Sequence, residues 1–329
     1  MENYLLGLNA GGLLDLIFLI SLNELLTPMT KKIVLLDGGM GQELIKRSGQ
    51  KPTPLWSARV LLDNPELVQE LHSDFIKAGA QVISLNNYTA TPFRLRRDAS
   101  IDLFDEIHQS AKTVAKAAKI NSGKENIKIA GSLGPVVASY KPELVPSYSE
   151  CLHEYKKLVK AQEDGVDLFI CETMSTIREA KASVFAANET GLPTCISFTL
   201  DDHNPLMLRS GESLLDAVKE MEPLNVESIM INCSMPETIN HAVPLLVNLF
   251  PRVGAYANGF QSIDGLKAGG TVESLKARKD LTPDLYLKYA LEWVDMGVSI
   301  VGGCCEVGPK HIEVIYNELL KNGFSFETI

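Results

Sequence analysis

The chain has 329 residues, 45% hydrophobic and 22% charged, which is ample material for a large buried core. Its formal charge is −10, and no stretch interleaves Lys and Arg with aromatics, which argues against nucleic acid and anionic membranes as partners. The six cysteines, Cys151, Cys171, Cys195, Cys233, Cys304 and Cys305, are scattered apart from the last pair, so a secreted disulfide framework is excluded and a reducing cytoplasm fits best.

Leu13 to Leu26 is apolar but contains Asp15 and Glu24, and it is too short to span a bilayer. Glu2 precedes it, with no Lys or Arg and no cleavage site, so a signal peptide is not expected. Residues 1–28 are read as an N-terminal extension, an upstream start or an amphipathic helix, ahead of one domain over residues 29–329.

From Lys32 onward, short apolar strands alternate with helical patterns. Ile33 to Leu36 runs into Asp37-Gly38-Gly39, and a helix is expected from Pro65 to Ala78. Gln81 to Leu85 ends at Asn86-Asn87-Tyr88, and a helix follows over Ser100 to Lys119. The third strand, Ile127 to Ala130, precedes a helix over Ser149 to Asp164. The fourth, Leu168 to Cys171, ends at Glu172 before a helix over Ile177 to Thr190. Cys195 to Leu200 ends at Asp201, with a helix over Ser213 to Met221. Ser228 to Ile231 ends at Asn232-Cys233-Ser234, with a helix over Glu237 to Phe250. Val253 to Ala257 ends at Asn258-Gly259; a long loop from Gln261 to Asp280 then leads to a helix over Pro283 to Met296. Val298 to Val301 enters Gly302-Gly303-Cys304-Cys305, and His311 to Asn322 closes the chain as a helix. Eight such units predict an α/β fold with the parallel sheet closed into a (β/α)8 TIM barrel.

Sites in such barrels lie at the strand C-termini. The polar residues Asp37, Asn87, Glu172, Asp201, Cys233, Asn258, Cys304 and Cys305 all fall there. Neighbouring strand residues point to opposite faces, so two adjacent thiols serve one point only if the backbone departs from strand geometry. The glycines flanking Cys304-Cys305 are expected to permit this. Cys233 ends strand six and the pair ends strand eight, alternate strands whose mouth-facing side chains converge. Three thiolates with one open position suit one Zn2+ per chain. Ordinary buried thiols and a vicinal disulfide are the competing readings of the pair. A three-thiolate metal is a weak Lewis acid but keeps a bound thiolate nucleophilic, which implies alkyl transfer to a substrate thiol with no catalytic Ser or His. Asp37 and Glu172 are candidate acceptors for a substrate ammonium, Gly38-Gly39 N–H groups for its carboxylate, and Trp56 and Tyr88 form a candidate face for a cationic methyl donor. The histidines lack ligand spacing, and His241 and His311 are expected to face solvent.

Leu36-Asp37-Gly38-Gly39-Met40-Gly41, Ile231-Asn232-Cys233-Ser234 and Gly302-Gly303-Cys304-Cys305 resemble the homocysteine S-methyltransferase family over about residues 33 to 320. The resemblance implies zinc on Cys233, Cys304 and Cys305, the homocysteine amino group on Asp37 and Glu172, and methionine as product. Gly38, Asn87 and Asn232 are further candidates for the substrate site, and Trp56, Tyr88 and Asn258 for the donor pocket. Leu55-Trp56 resembles a Pro-Trp segment of the betaine enzymes, but Thr173 stands where those carry an aromatic residue. No arm of the kind with which betaine enzymes assemble, and no folate or cobalamin domain, is expected. A methylsulfonium such as S-methylmethionine or S-adenosylmethionine is therefore the expected donor, with a betaine-type or other onium donor as the alternative. A vicinal-dithiol redox protein and a non-catalytic zinc- or thiol-binding barrel are the readings from other classes.

Overall fold

The computed structural model describes residues 31–49 and 51–329, and the 1–28 extension lies outside the described residues. Eight strands run in parallel: β1 (Lys32–Leu35), β2 (Val82–Ser84), β3 (Lys128–Leu133), β4 (Leu168–Met174), β5 (Thr194–Phe198), β6 (Ser228–Asn232), β7 (Val253–Tyr256) and β8 (Ile300–Val301). Each pairs with its neighbour in sequence from β2 to β8, and β8 pairs with β1 through Val34↔Ile300 and Leu35↔Val301. The ring closes between β1 and β2, where Leu36 bridges to Val82 and the Asp37 N–H donates to Val82 O at 2.9 Å. This is the (β/α)8 barrel that the alternation of elements predicts.

The period of two along each strand divides the core. Val34, Leu36, Val82, Ala130, Leu168, Ile170, Cys195, Met230 and Ile300 fill the barrel interior. The intervening residues, such as Ile33, Leu35, Ile83, Phe169, Ile196, Ile229 and Val301, pack outward against the helices. Helix starts follow from local chemistry. Pro65, Pro92, Pro236, Pro283 and Pro309 occupy first-turn positions where no intrahelical N–H is needed, and Ser147 with Glu150 forms a capping box.

Three short helices were not anticipated, Met40–Ser48, Ala58–Asp63 and Pro92–Asp98, and neither was a ninth strand, β9 (Ser325–Phe326). Each is too short to show a repeating apolar period. β9 fills the lower part of the β1–β2 seam: Ser325 and Glu327 N–H donate to Lys31 and Ile33 carbonyls, while Leu35, next along that edge, accepts from Gln81. Ile329 then packs against the interior core from below. His311 does not face solvent as expected; it is half-buried, edge-on to Tyr286, with Nδ1 accepting from the Gly308 N–H. His241 is exposed. Among the described residues no helix is long and apolar enough to cross a membrane.

Candidate functional site

The strand C-termini surround a cavity of about 110 Å³. Its wall includes Asp37, Gly38, Trp56, Tyr88, Glu172, Cys233, Cys304 and Cys305, so most of the residues singled out in the sequence meet there.

The thiols converge because two loop ends interlock. Cys304 Sγ lies 2.7 Å and Cys305 Sγ 3.8 Å from Cys233 Sγ, and the three sulfurs are all within 4.8 Å of one another. Cys304 begins a tight turn, with Val307 N–H donating to Cys304 O at 3.1 Å and Glu306 at φ 66°. A turn of this kind needs a positive φ at its third position, and it folds Cys305 back beside Cys304. Cys233, at φ 48°, leaves the strand geometry in the same way on β6. The flanking glycines serve a different end from the one the sequence suggested. None of Gly38, Gly39, Gly302 and Gly303 has a positive φ; they allow backbones to touch. A Cβ on Gly39 would lie 2.3 Å from Cys304 O, and one on Gly38 would lie 2.1 Å from Val307 O. The two loops are also tied by Gly39 N–H to Val307 O and Gly303 N–H to Asp37 O.

The donor set is three soft sulfurs in a closed cluster facing a cavity, which suits a thiophilic metal ion. Cys151, Cys171 and Cys195 are free and buried away from it. Burial pushes the Cys233 thiol up, but hydrogen bonds from Cys304, Cys305 and the Tyr140 hydroxyl (2.9 Å) outweigh this and hold it well below the usual thiol range. Sharing hydrogens with Cys233 pushes Cys304 and Cys305 up. A bound cation reverses that order, since a coordinating thiol is deprotonated outright.

The acids face the same space. Asp37 is buried and accepts from Ser84 N–H at 2.7 Å; loss of water pushes its carboxyl up to about 8, and the neighbouring Glu172 adds to the rise. Glu172 accepts from Ser132 Oγ at 2.5 Å, and burial pushes it up to about 7, with the Cys233 charge acting in the same direction. The strand period turns it inward with Leu168 and Ile170, and the register shifts there: β4 advances from Cys171 to Met174 while β5 advances only from Ile196 to Phe198, and Thr173 adopts φ 63°. Among the described residues no Lys or Arg belongs to the cavity wall. Two carboxyls without a counter-cation in a partly dry cavity favour a ligand that carries positive charge.

The three asparagines lie behind the wall. Asn232 Oδ1 accepts from Thr173 N–H and Ser197 Oγ, both at 2.9 Å, and its Nδ2 donates to Thr173 Oγ1, so it clamps the bulge. Asn258 holds the Cys233 loop through Nδ2 to Cys233 O at 2.8 Å. Asn87 Nδ2 meets His108 Nδ1 at 2.9 Å. Asp201 caps its own turn, accepting from His203 and Asn204 N–H, and takes no part in the wall. Trp56 and Tyr88 stack with ring centroids 6.2 Å apart, and Trp56 Nε1 donates to Gly270 O in the long loop.

Sequence reasoning missed Tyr140 and Tyr256. Tyr140 stands in a loop without a motif. Tyr256 is the last residue of β7, a strand-end position that could have flagged it; its hydroxyl is buried at the cavity and has no hydrogen-bond partner among the described residues. The uncapped helix start beside Gly39 also borders the cavity, where Met40, Gly41 and Gln42 line the wall.

A family model of homocysteine S-methyltransferases matches residues 34–319, the whole barrel through its last helix. The chain belongs to the homocysteine S-methyltransferase family. Homocysteine S-methyltransferase 1 of Arabidopsis thaliana is 29% identical, over 90% of this chain and 97% of its own length. The homocysteine S-methyltransferase of Escherichia coli (strain K12) is 30% identical, over 86% and 94%. The crystal structure of the homocysteine methyltransferase MmuM from E. coli in its metallated form superposes with a TM-score of 0.73 at 25% identity, over 88% of this chain and 97% of that one. Membership makes this chain a methyltransferase enzyme, and the family span contains every cavity residue named above.

Proposed function

We propose that this protein transfers a methyl group from a small methylsulfonium to the sulfur of L-homocysteine, giving methionine. The observation that carries the reading is the placement of three convergent thiols and two acids on one cavity, with no basic side chain among its described wall residues. Cys233, Cys304 and Cys305 fit one Zn2+, whose chemistry here is to bind a substrate thiol and keep it ionised. Asp37 and Glu172 accept the homocysteine ammonium. The Gly39 N–H is taken by Val307 O, so the carboxylate goes to Gly38 and the free first-turn N–H groups of Met40, Gly41 and Gln42. Asn87, Asn232 and Asn258 hold the loops that carry these groups. The Trp56–Tyr88 face receives the donor cation. The homocysteine sulfur forms the new bond to the methyl carbon as the donor C–S bond breaks, and the electron pair stays on the donor sulfur, which leaves as a neutral thioether. Free thiols in a working site suit a reducing compartment, and we place the protein in the cytoplasm.

The test couples metal analysis to a donor panel. The expected result is about one zinc per chain, lost on Cys233→Ser, with methionine formed from homocysteine and S-methylmethionine faster than from S-adenosylmethionine or betaine. Protein that stays zinc-free when supplied with the ion, or forms no methionine with any donor, refutes the proposal. A preference for betaine would overturn the donor alone.

A further inference from the structure

Four thiolates share the cavity when the substrate is bound: three from the protein and one from homocysteine. A methylsulfonium can alkylate any of them, so the site needs a way to disfavour its own ligands. Such a device exists at Cys233. The Tyr140 hydroxyl donates to Cys233 Sγ at 2.9 Å, whereas among the described residues Cys304 Sγ has only the distant Asn232 amide at 4.0 Å as a nitrogen or oxygen donor.

The loop leading to Tyr140 is fixed at nearly every residue. Gly134 O accepts from Tyr155, Pro135 O from Arg94 Nε, and Val136 O from Thr91 Oγ1, while Val136 N–H donates to the buried Glu179. Val137 O accepts from Arg97, and Ser139 Oγ meets both Arg94 and Tyr88. This strap delivers Tyr140 in a left-handed conformation, φ 61°, that a bulky residue keeps only where its surroundings over-determine it. The Arg209 guanidinium lies 5.1 Å over the Tyr140 ring, held by Asp202 and Thr199, and draws density from the phenol.

We infer that Tyr140 is a positioning residue whose fixed hydrogen bond lowers the nucleophilicity of the Cys233 thiolate, so that the methyl group goes to the substrate sulfur and not to the protein. A charge-assisted hydrogen bond withdraws electron density from sulfur, and thiolate nucleophilicity falls with basicity. The suppressed step is attack of Cys233 Sγ on the methyl carbon: an S–CH3 bond forms, the donor C–S bond breaks with its pair on the leaving thioether, and a ligand is lost as S-methylcysteine. The inference rests on the methyl-transfer reading, so its test includes an electrophile independent of it.

Zinc-loaded wild type and Tyr140→Phe are incubated without homocysteine, either with methyl iodide or with S-methylmethionine, and cysteine methylation is mapped by mass spectrometry. With methyl iodide, Cys233 in the variant is expected to be methylated on the order of tenfold faster, with Cys304 and Cys305 unchanged. The sulfur-to-cobalt charge-transfer band of the cobalt-substituted variant should move to longer wavelength. Unchanged site distribution with an unmoved band overturns the inference. A tenfold difference with methyl iodide but no labelling by S-methylmethionine upholds it and counts against the sulfonium donor. If Tyr140→Phe does not fold, Arg209→Met must raise Cys233 methylation severalfold, and no rise overturns the inference.

Discussion

The two ends of the barrel are built on opposite principles. At the upper end, Trp56, Tyr140, Thr173, Cys233 and Glu306 hold positive φ without being glycine, Asp37 is buried and Glu172 half-buried with no Lys or Arg among the described cavity-wall residues, and the Tyr256 hydroxyl has no partner among the described residues. At the lower end the chain seals itself: β9 fills the β1–β2 seam, Ile329 caps the interior, and Arg252 joins Glu227, Glu327 and Thr328 O. Of the six described non-glycine residues at positive φ, five stand at the upper end and only Asn225 lies toward the floor, and strain concentrated in this way marks where a ligand completes the structure. The relaxed end supplies the stability that tolerates them.

The largest break in this comparison is expected from Gly39→Ala. Gly39 has an ordinary φ of −71°, so alanine meets no backbone strain, but its Cβ would lie 2.3 Å from Cys304 O, 2.9 Å from Cys304 C and 3.0 Å from Cys305 Cα. The DGG and GGCC loops must separate, so zinc content should fall, and methionine formation should fall by at least about a hundredfold, since misplacement of about 1 Å costs that much in rate. Normal zinc content in this variant would show that the interlock does not position the thiols. Glu172→Gln acts on the acid side alone. Removing a charge-assisted contact should raise the homocysteine KM roughly tenfold or more with zinc content intact. Loss of zinc with unchanged KM would transfer Glu172 to support of the metal site.

Much of this division is legible before any coordinates. The strand ends carry the polar residues because a barrel's interior has no other place for them, and Cys233, Cys304 and Cys305 can be matched by register alone. What escapes is whatever depends on contact between distant loops. The roles of Gly38 and Gly39 follow from Val307 and Cys304 carbonyls more than 260 residues away, and that approach has no signature in local sequence. Asn232 and Asn258 occupy strand-end positions like true wall residues, yet both amides are taken up by the Thr173 bulge and the Cys233 loop. Tyr140 is invisible because its placement is set by Arg94, Thr91, Tyr155 and Glu179, which come from three other helices and their caps.

A pH titration of the metal-free protein separates the two ends further. Asp37 and Glu172 have folded-state pKa values of about 8 and about 7, above those of the unfolded chain. Their contribution is therefore full below the unfolded values and is lost as pH rises through 7 to 8. The buried His72 and His108 are lowered to about 4 by loss of water, so they act in the opposite sense, adding stability as pH rises toward 6.5. Below pH 6.5 the two pairs offset each other; between pH 6.5 and 8 the acids lower the melting temperature, a fall made shallower by the Cys233 thiol, whose depressed pKa adds stability as pH rises. Asp37→Asn combined with Glu172→Gln should remove that fall, and a double variant whose profile matches the wild type would contradict the raised pKa of both acids.

The smallest effect on chemistry is expected at the sealed end. Deleting residues 325–329 removes the β9 pairing to Lys32 and Ile33, the Arg252 contacts to Glu327 and Thr328, and the Ile329 plug under the inner core. The apolar surface uncovered at the barrel floor should lower the melting temperature by a few degrees, corresponding to about 1 kcal/mol for one lost, partly buried aliphatic side chain. None of these groups touches the cavity wall, and the inner core of Val34, Leu168, Cys195 and Ile300 stands between floor and mouth. Zinc content, homocysteine KM and kcat measured well below the new melting temperature should therefore match the full chain. A change in KM or in zinc affinity at 25 °C would mean that the floor and the mouth are coupled through the inner core, and the division of labour between the two ends would fail.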